Sequence, residues 1–450
     1  MAFKFLVIAL ATCASLVCAQ GPSRCEDIRV RRSAHSLSDS DWANVQSVVS
    51  QMHRDGQFER FAQTHDQIFD SVHGHSAFFP FHRRFIVEFE NLAREIDPSF
   101  TVPYWDTTRD YRRPETSAVL RPQALGGDGE GPQRCLQSGV QGNWTVGFPD
   151  RHCIRRQFSG SGGAILPWIP AEVISSFMQR DQQLADFREH IEFSIHGATH
   201  IGLGGDAATR YAPNDFFFFM HHANIDRLWW LWQNDQARFF AYDGPGGSQG
   251  AQAHLSDAIP ESRAVSFGGQ QVGSVMVLGF NGMCYAYDSA PPPPDMYPGP
   301  VGNDDGSGGG RIKITPATGH KSNNMPSAIN SGSSNMASRA LEIARIRTAL
   351  GEQEGLKEYF PKVALLGAPA RMANAASPPV HRPYTHQYKC GGGGGARPQA
   401  ATKQALVYPA RMAEKWVKMH GFKPERVEKV YREACRLIDL LNNSTYVSPY

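Results

Sequence analysis

The sequence predicts a mainly α-helical protein, with a core of four helices, long irregular loops and a C-terminal extension of mixed or helical structure. Apolar residues recur at helical spacing in several segments before residue 235, and the stretch from Thr107 to Gly163 is rich in Gly, Pro and Arg. The composition changes again after Tyr287, where prolines and then glycines accumulate. The apolar content of 41% and the net charge of +2 suit a globular chain and exclude the basic surface of a nucleic-acid-binding protein.

Residues 1–19 are predicted to be a signal peptide. An apolar run at residues 5–17 follows a lysine and ends at small residues suited to cleavage, and it is too short to span a membrane. We therefore expect a protein that is secreted or lies in the lumen of the secretory pathway. The glycosylation triplets that begin at Asn143, Asn442 and Asn443 agree with this expectation.

Six cysteines remain after the signal peptide, and in an oxidising compartment they favour three disulfides. They are Cys25, Cys135, Cys153, Cys284, Cys390 and Cys435. Six cysteines allow fifteen pairings. Only Cys135 with Cys153, which are close in sequence, is a pair that we favour.

Four helices are predicted in the first half of the chain. The first begins near Ser38, where Ser38 and Asp41 resemble a helix start before an apolar repeat. The second runs from about Phe79 to Arg94 and ends before an Asp-Pro pair. The third covers about Leu184 to His200 and ends at glycines, and the fourth covers about Phe217 to Gln233.

A domain boundary is predicted near residue 290. It separates a main domain at residues 20–290 from a Pro/Gly-rich linker at 291–335 and an extension at 336–450. The extension contains a helix-like piece at about 337–350, a run of five glycines and two amphipathic helices. The last of these helices is opened by Pro424.

Histidines are concentrated in two windows, since residues 53–82 and 190–222 hold ten of the seventeen. His196 and His200 are four residues apart on a predicted helix, so that their rings can converge on a metal. Imidazoles without nearby thiolates suit copper or zinc, and the spacing leaves these two metals undecided. Two such clusters predict two metals held face to face inside a four-helix bundle. A zinc hydrolase is disfavoured because the sequence has no His-Glu-x-x-His motif.

Two stretches of the sequence resemble the two copper-binding halves of the tyrosinase family. The first half is matched by FAQTH at residues 61–65, HGHSAFFPFHRR at 73–84 with Glu90, and PYWD at 103–106. The second half is matched by Glu192-x3-His196-x3-His200 and by NDFFFFMHHANIDRLWW at 214–230. The likeness covers about residues 25 to 290.

This resemblance implies a binuclear type 3 copper site with dioxygen as co-substrate. It assigns three histidines to each copper ion: His65, His73 and His82 to the first, and His196, His200 and His222 to the second. It also implies a small phenol or catechol as substrate, oxidation of o-diphenols to o-quinones, and melanin-like pigment or cross-links as the product. The resemblance leaves the oligomeric state open.

Three neighbouring histidines are alternatives to these ligands. His53 could replace His65, but the sequence context before His65 resembles the first ligand of the family. His75 falls two residues late for the motif. His221 precedes His222, yet only His222 has the His-x3-Asp spacing, and Asp226 could orient a basic group or a ligand ring.

Glu192 and Gly197 bear on the choice between monophenols and diphenols. Glu192 matches the acidic residue that holds a water near the copper in the family, and it is our candidate catalytic residue. The frequent partner in the family is an Asn immediately after the first ligand of the second copper, and Gly197 stands there. Because glycine cannot hold a water, we expect diphenol oxidation to dominate.

Tyr285-Ala286-Tyr287 resembles the Tyr-x-Tyr element that closes the catalytic domain of the family near an N-terminal arginine, for which Arg29, Arg31 and Arg32 are candidates. In many relatives an extension after this element covers the copper site until proteolysis, and we expect the same of residues 291–450. Two other functions stay open, an oxygen carrier of the haemocyanin type and a catalytically silent structural relative.

Overall fold

The computed structural model describes residues 22–234, 238–246, 251–298, 345–346, 349, 355–364 and 404–448. The predicted signal peptide, nearly all of the linker, most of the helix-like piece at 337–350 and the glycine run lie outside the described residues. The boundary near residue 290 stays a prediction.

The described residues are mainly helical, as the sequence predicts. The helices are α1 Asp39–Arg54, α2 Gln57–Val72, α3 Phe78–Ile96, α4 Ala171–Arg180, α5 Leu184–Ile191, α6 Gly197–Leu203, α7 Phe217–Gln233, α8 Leu356–Tyr359, α9 Pro361–Ala364, α10 Glu414–Met419 and α11 Pro424–Asn442. The strands are β1 Arg29–Arg31, β2 Thr145–Val146, β3 His152–Cys153 and β4 Tyr285–Tyr287. No helix of this described part is both long and apolar enough to cross a membrane.

Most predicted helix ends are confirmed. The side chain of Ser38 accepts a hydrogen bond from the backbone of Asp41, and Asp41 bonds back to the Ser38 N–H, which forms a capping box at the start of α1. Helix α7 has the predicted bounds, and α3 and the last helix, α11, lie where they were expected. Helices α2 and α4 were not predicted as separate elements.

The third predicted helix is wrong in one respect, because it is not a continuous α-helix. A π-helical turn at Glu192–His196 separates α5 from α6. The hydroxyl of Ser194 donates to the carbonyl oxygen of His190 within this wider turn. Such turns insert one residue into a helix and are frequent at functional sites.

Two disulfides join pairs of cysteines within the described residues. Cys135 is bonded to Cys153, which confirms the favoured pair, and the two Cα atoms lie 5.5 Å apart. Cys25 is bonded to Cys284, beside the parallel pairing of β1 with β4. Cys435 is also disulfide-bonded.

A buried charge network joins the N-terminal strand to helices α3 and α7. Arg31 donates to Glu90 through two nitrogens at 2.9 Å, to Asp226 at 3.2 Å and to the hydroxyl of Tyr287 at 2.9 Å. Its guanidinium also lies 3.6 Å from the ring centroid of Tyr285. Arg31 is therefore the arginine that the Tyr-x-Tyr element contacts. Asp226 orients basic groups, namely Arg31 and Arg83, rather than a ligand ring.

Replacing Arg31 with Met should destabilise the protein strongly. The substitution leaves the carboxylate of Glu90 buried without its bidentate partner, and breaking a buried ion pair in this way costs about 3–5 kcal/mol of unfolding free energy. Arg32→Met is the matched control, because Arg32 pairs with Asp41 at the surface, and we expect a change below about 1 kcal/mol. Urea unfolding of both variants checks this, and equal losses would contradict the role given to Arg31.

Candidate metal centre

Seven buried histidines converge between the helices of the main domain. His65 lies on α2, His73 directly follows α2, and His82 lies on the first turn and a half of α3. The others lie on the π-helical turn, on α6 and on α7: His196, His200, His221 and His222. Each of the seven side chains is at most 3% exposed.

The rings form two facing groups. His65, His73 and His82 each offer a nitrogen within 4.8 Å of the others, and so do His196, His200 and His221. The ring centroids of His196 and His200 are 4.8 Å apart, which confirms that residues four apart present their rings on one side. The structure thus brings together five of the six predicted ligands in two compact groups.

The sixth predicted ligand, His222, lies between the two groups. Its Nε2 is 3.5 Å from Nε2 of His200, and its ring stacks on the ring of His82 at a centroid distance of 3.8 Å. His221 stacks instead on Phe217, with ring centroids 5.2 Å apart. The described geometry therefore offers two candidates on α7 for the third ligand of the second metal.

Backbone carbonyl groups orient four of these imidazoles. Nδ1 of His73 bonds to the carbonyl of Phe69 at 3.1 Å, and Nδ1 of His82 bonds to that of Phe78 at 2.7 Å. Nδ1 of His65 and Nδ1 of His200 also bond to carbonyl oxygens, at 2.6 and 2.5 Å. Because a carbonyl accepts only, Nδ1 carries the proton and Nε2 keeps its lone pair for a metal.

The donor set fits two copper ions. Nε2 of His65, Nε2 of His82 and both ring nitrogens of His196 are buried and have no hydrogen-bond partner among the described residues. Burial lowers the pKa of His65 to about 3 and that of His200 to about 4, so that both imidazoles are neutral and able to bind a metal. Unpartnered buried nitrogens are costly, and metal binding would satisfy them.

The alternative ligands in the first window lie away from this centre. The ring of His53 stacks on Trp144 at 4.2 Å, and the side chain is only half-buried. His75 is half-buried as well and belongs to neither nitrogen group. The placement of His65 agrees with its sequence context.

Glu192 is buried beside the centre, but both of its carboxylate oxygens are engaged. Oε1 accepts from the backbone N–H of Gly74 at 2.9 Å, next to His73, and Oε2 accepts from Arg188 at 2.5 Å. Burial raises the pKa of Glu192 to about 7, whereas Arg188 and the Gly74 N–H act to lower it. The carboxylate thus connects the π-helical turn to the His73 turn, and the part played by Arg188 was not predicted.

The C-terminal segment, defined as residues 404–448, contacts the histidines of the centre. Trp416 stacks on the ring of His200 at 5.2 Å, and the ring of His420 lies 4.9 Å from that of His73. Neither residue was predicted to lie at the site. A signal was nevertheless present, because an aromatic residue stands four places before the histidine, as it does in Phe69-x3-His73 and Phe78-x3-His82.

Two facing groups of neutral imidazoles on helices define a protein with a binuclear histidine-ligated metal centre. A family model described as the common central domain of tyrosinase matches residues 55–235. The tyrosinase of Streptomyces antibioticus is 31% identical over 228 residues, which are 45% of this chain and 82% of that protein. The tyrosinase of Streptomyces lincolnensis is 32% identical over 199 residues, with 39% and 72% covered.

The chain belongs to the tyrosinase family. It is a copper-dependent oxidoreductase whose centre takes two copper ions, as the sequence resemblance implied. Among solved structures, a variant polyphenol oxidase of Thermothelomyces thermophila has a TM-score of 0.47 at 20% identity, and the match covers 58% of this chain and 88% of that one.

The two histidines on α7 can be separated by copper binding. We expect His222→Gln to weaken binding of the second copper ion at least about 100-fold, since even residues that only support a ligand are worth 10–100-fold. His221→Gln is the matched variant on the same helix and should still bind two copper ions. Copper titration against a competing chelator measures both affinities, and the reverse ranking would make His221 the ligand.

Proposed function

We propose that this protein oxidises o-diphenols to o-quinones with dioxygen, so that two diphenols and one O2 give two quinones and two waters. The observation that carries the proposal is the pair of facing histidine groups. The two copper ions, when bound, would carry electrons from the diphenol to dioxygen. The chain itself supplies the histidines that would bind the copper ions, the hydrogen bonds that orient those histidines, and an apolar site for the substrate.

The proposed ligands are His65, His73 and His82 for one copper and His196, His200 and His222 for the other. His222 is preferred to His221 because its Nε2 already lies 3.5 Å from that of His200, a separation that two nitrogens about 2 Å from one ion can have. The stacking of His222 on His82 also sets one ligand of each metal side by side.

The walls of the centre include buried aromatic rings. The ring of Phe218 lies 4.3 Å from that of His222, and the ring of Phe78 lies 4.9 Å from that of His196. Neither side chain is exposed to solvent. Such a site favours an uncharged aromatic substrate.

Two features favour diphenols over monophenols. A free phenol ionises near pH 10, and its hydroxylation therefore needs a group that takes the proton. One hydrogen bond to each carboxylate oxygen holds Glu192 toward Gly74 and Arg188, and Gly197 has no side chain with which to hold a water beside it. In this proposal Glu192 acts chiefly as a positioning residue for the turn that carries His73.

Tyrosine and a catechol should differ in rate by at least about 100-fold, since proton transfer by a positioned group contributes 10²–10⁴-fold. Gly197→Asn should raise the tyrosine rate relative to the catechol rate, and Gly197→Ala, which adds bulk without a polar group, should not. Dioxygen uptake with each substrate measures the ratio. Fast, lag-free tyrosine oxidation by the unmodified protein would refute the preference, and failure to oxidise any catechol would favour an oxygen carrier.

The C-terminal segment is proposed to keep the centre covered. It is held at several points around the site: Arg112 donates to the carbonyl of Ala405 at 2.6 Å, and Arg180 donates to Glu433 at 2.8 Å. The ring of Phe422 packs on Phe193 at 4.6 Å. A substrate ring that approaches His200 would meet Trp416.

Displacing the cover should therefore increase activity. We expect Trp416→Ala to raise catechol oxidation by the full chain about tenfold or more, because each 1.4 kcal/mol of lost docking energy is a factor of ten in the uncovered population. Lys418→Ala, on the exposed side of α10, is the matched control. Cleavage at a protease site introduced near residue 300 should act in the same direction. No gain from either change would refute the cover.

Secretion is also proposed, from the predicted signal peptide and the disulfides. Asn143 and Asn443 are exposed and suit glycosylation. Asn442 does not, since its amide bonds to both backbone groups of Leu406.

A further inference from the structure

His420, on the C-terminal segment, is buried beside the histidines of the metal centre. Its side chain is 7% exposed, and its ring lies 4.9 Å from the ring of His73 and 6.3 Å from that of His196. These separations are similar to those inside the metal centre, where the rings of His65 and His73 are 5.1 Å apart. The C-terminal segment thus places an eighth buried imidazole beside His73 of the first group and His196 of the second, outside both 4.8 Å nitrogen groups.

The Nδ1 hydrogen bond of His420 matches that of two of the proposed ligands. Its Nδ1 bonds to the carbonyl of Trp416, four residues earlier, at 3.0 Å. His73 and His82 bond to the carbonyls of Phe69 and Phe78 in the same manner. The arrangement puts the proton of His420 on Nδ1 and leaves a lone pair on Nε2.

Nε2 of His420 is buried and has no hydrogen-bond partner among the described residues, as is also true of Nε2 of His65 and His82. A phenylalanine or leucine would fill the same volume without an unsatisfied nitrogen. The surroundings of His420 are the rings of Phe69, Trp416 and Phe422, at centroid distances of 4.7, 4.0 and 4.8 Å. The two phenylalanine rings have no N–H or O–H to donate to Nε2, and the indole N–H of Trp416 makes no hydrogen bond among the described residues.

We propose that His420 is a copper ligand supplied by the C-terminal segment, which adds a fourth imidazole to the copper held by His65, His73 and His82 while the site is covered. The inference rests on the proposed ligand set. Three imidazoles leave a copper ion an open position, and His420 would occupy it. The segment would then block the centre chemically as well as sterically.

A direct ligand makes docking of the segment depend on copper. Coupling between two binding events is reciprocal. If docking of the segment raises the affinity of the centre for copper, then copper binding must favour docking of the segment by the same factor. Coverage that is only steric has no such dependence on His420. Amide hydrogen exchange of residues 413–423 reports docking without any measurement of activity.

The test compares the full chain with and without two equivalents of copper, as wild type and as His420→Phe and Trp416→Phe. His420→Phe removes the nitrogen and keeps a ring, whereas Trp416→Phe alters the packing and keeps the nitrogen. We expect copper to slow exchange of residues 413–423 at least about tenfold in wild type and in Trp416→Phe, and to have a smaller effect in His420→Phe. Exchange within α1, which lies outside the C-terminal segment, provides the reference for general stabilisation, and His420→Gln replaces His420→Phe if the latter does not fold.

The outcomes separate this inference from the proposed function. A wild-type chain that binds two copper ions, with the same copper effect on residues 413–423 in His420→Phe as in wild type, overturns the role of His420 alone. An equal loss of the copper effect in Trp416→Phe overturns it as well. A wild-type chain that binds fewer than two copper ions overturns the proposed ligand set together with this inference.

Discussion

The main constraint on this structure is that it buries a group of uncharged imidazoles, several of whose nitrogens have no hydrogen-bond partner among the described residues. Burying such nitrogens costs free energy. A group of eight histidines meets between helices in an environment that lowers the pKa of each of them and keeps them neutral. Hydrogen bonds to backbone carbonyls satisfy one nitrogen of several rings, and in doing so they select the tautomer that presents the other nitrogen inward. Without metal ions, such a cluster of unsatisfied nitrogens would oppose folding. Copper binding and the compact packing of the helices are therefore expected to support each other.

Ligand geometry also requires that α3 and α7 keep a fixed register. Arg83, the residue after His82, donates to Asp226 at 2.5 Å, and Asp226 lies one turn after His222. The guanidinium of Arg83 also lies 3.7 Å from the ring centroid of Trp229 on α7. Arg31 adds the N-terminal strand to the same carboxylate. A buried ion pair of this kind contributes little net stability, but it strongly disfavours a slipped arrangement in which a charge would lose its partner. The ion pair between Arg83 and Asp226 thus helps to fix the position at which His82 stacks on His222.

The features that could be predicted from the sequence are those whose causes lie within a few residues. The capping box of Ser38 with Asp41 and the pairing of His196 with His200 are both local, and both are confirmed. The π-helical turn was missed because the apolar spacing predicts a helix but does not distinguish a single π-helical turn from an α-helical one. Choosing Arg31 from three arginines needed the pairing of β1 with β4, whose partners are more than 250 residues apart in sequence. The contact of His420 with His73 also joins distant parts of the sequence, so the Trp416-x3-His420 pattern could mark His420 as a candidate but could not place it beside His73.

Gly197 links the proposed substrate preference to the proposed cover. In the sequence it stands out only because a polar side chain is missing beside His196. In the structure, a Cβ atom at residue 197 would lie 2.5 Å from Cε of Met412 and 3.0 Å from Nε1 of Trp416. The methionine end is flexible and can move, but Trp416 is fixed between the rings of His200 and His420, so the contact with its indole decides the outcome. A larger residue at 197 would therefore push the C-terminal segment away from the centre. The missing side chain at residue 197 thus has two consequences: no polar group is available there to hold a water, and Met412 and Trp416 can pack against the backbone. Under the proposed function, a polar residue at 197 would therefore gain proton-transfer capacity only by loosening the proposed cover.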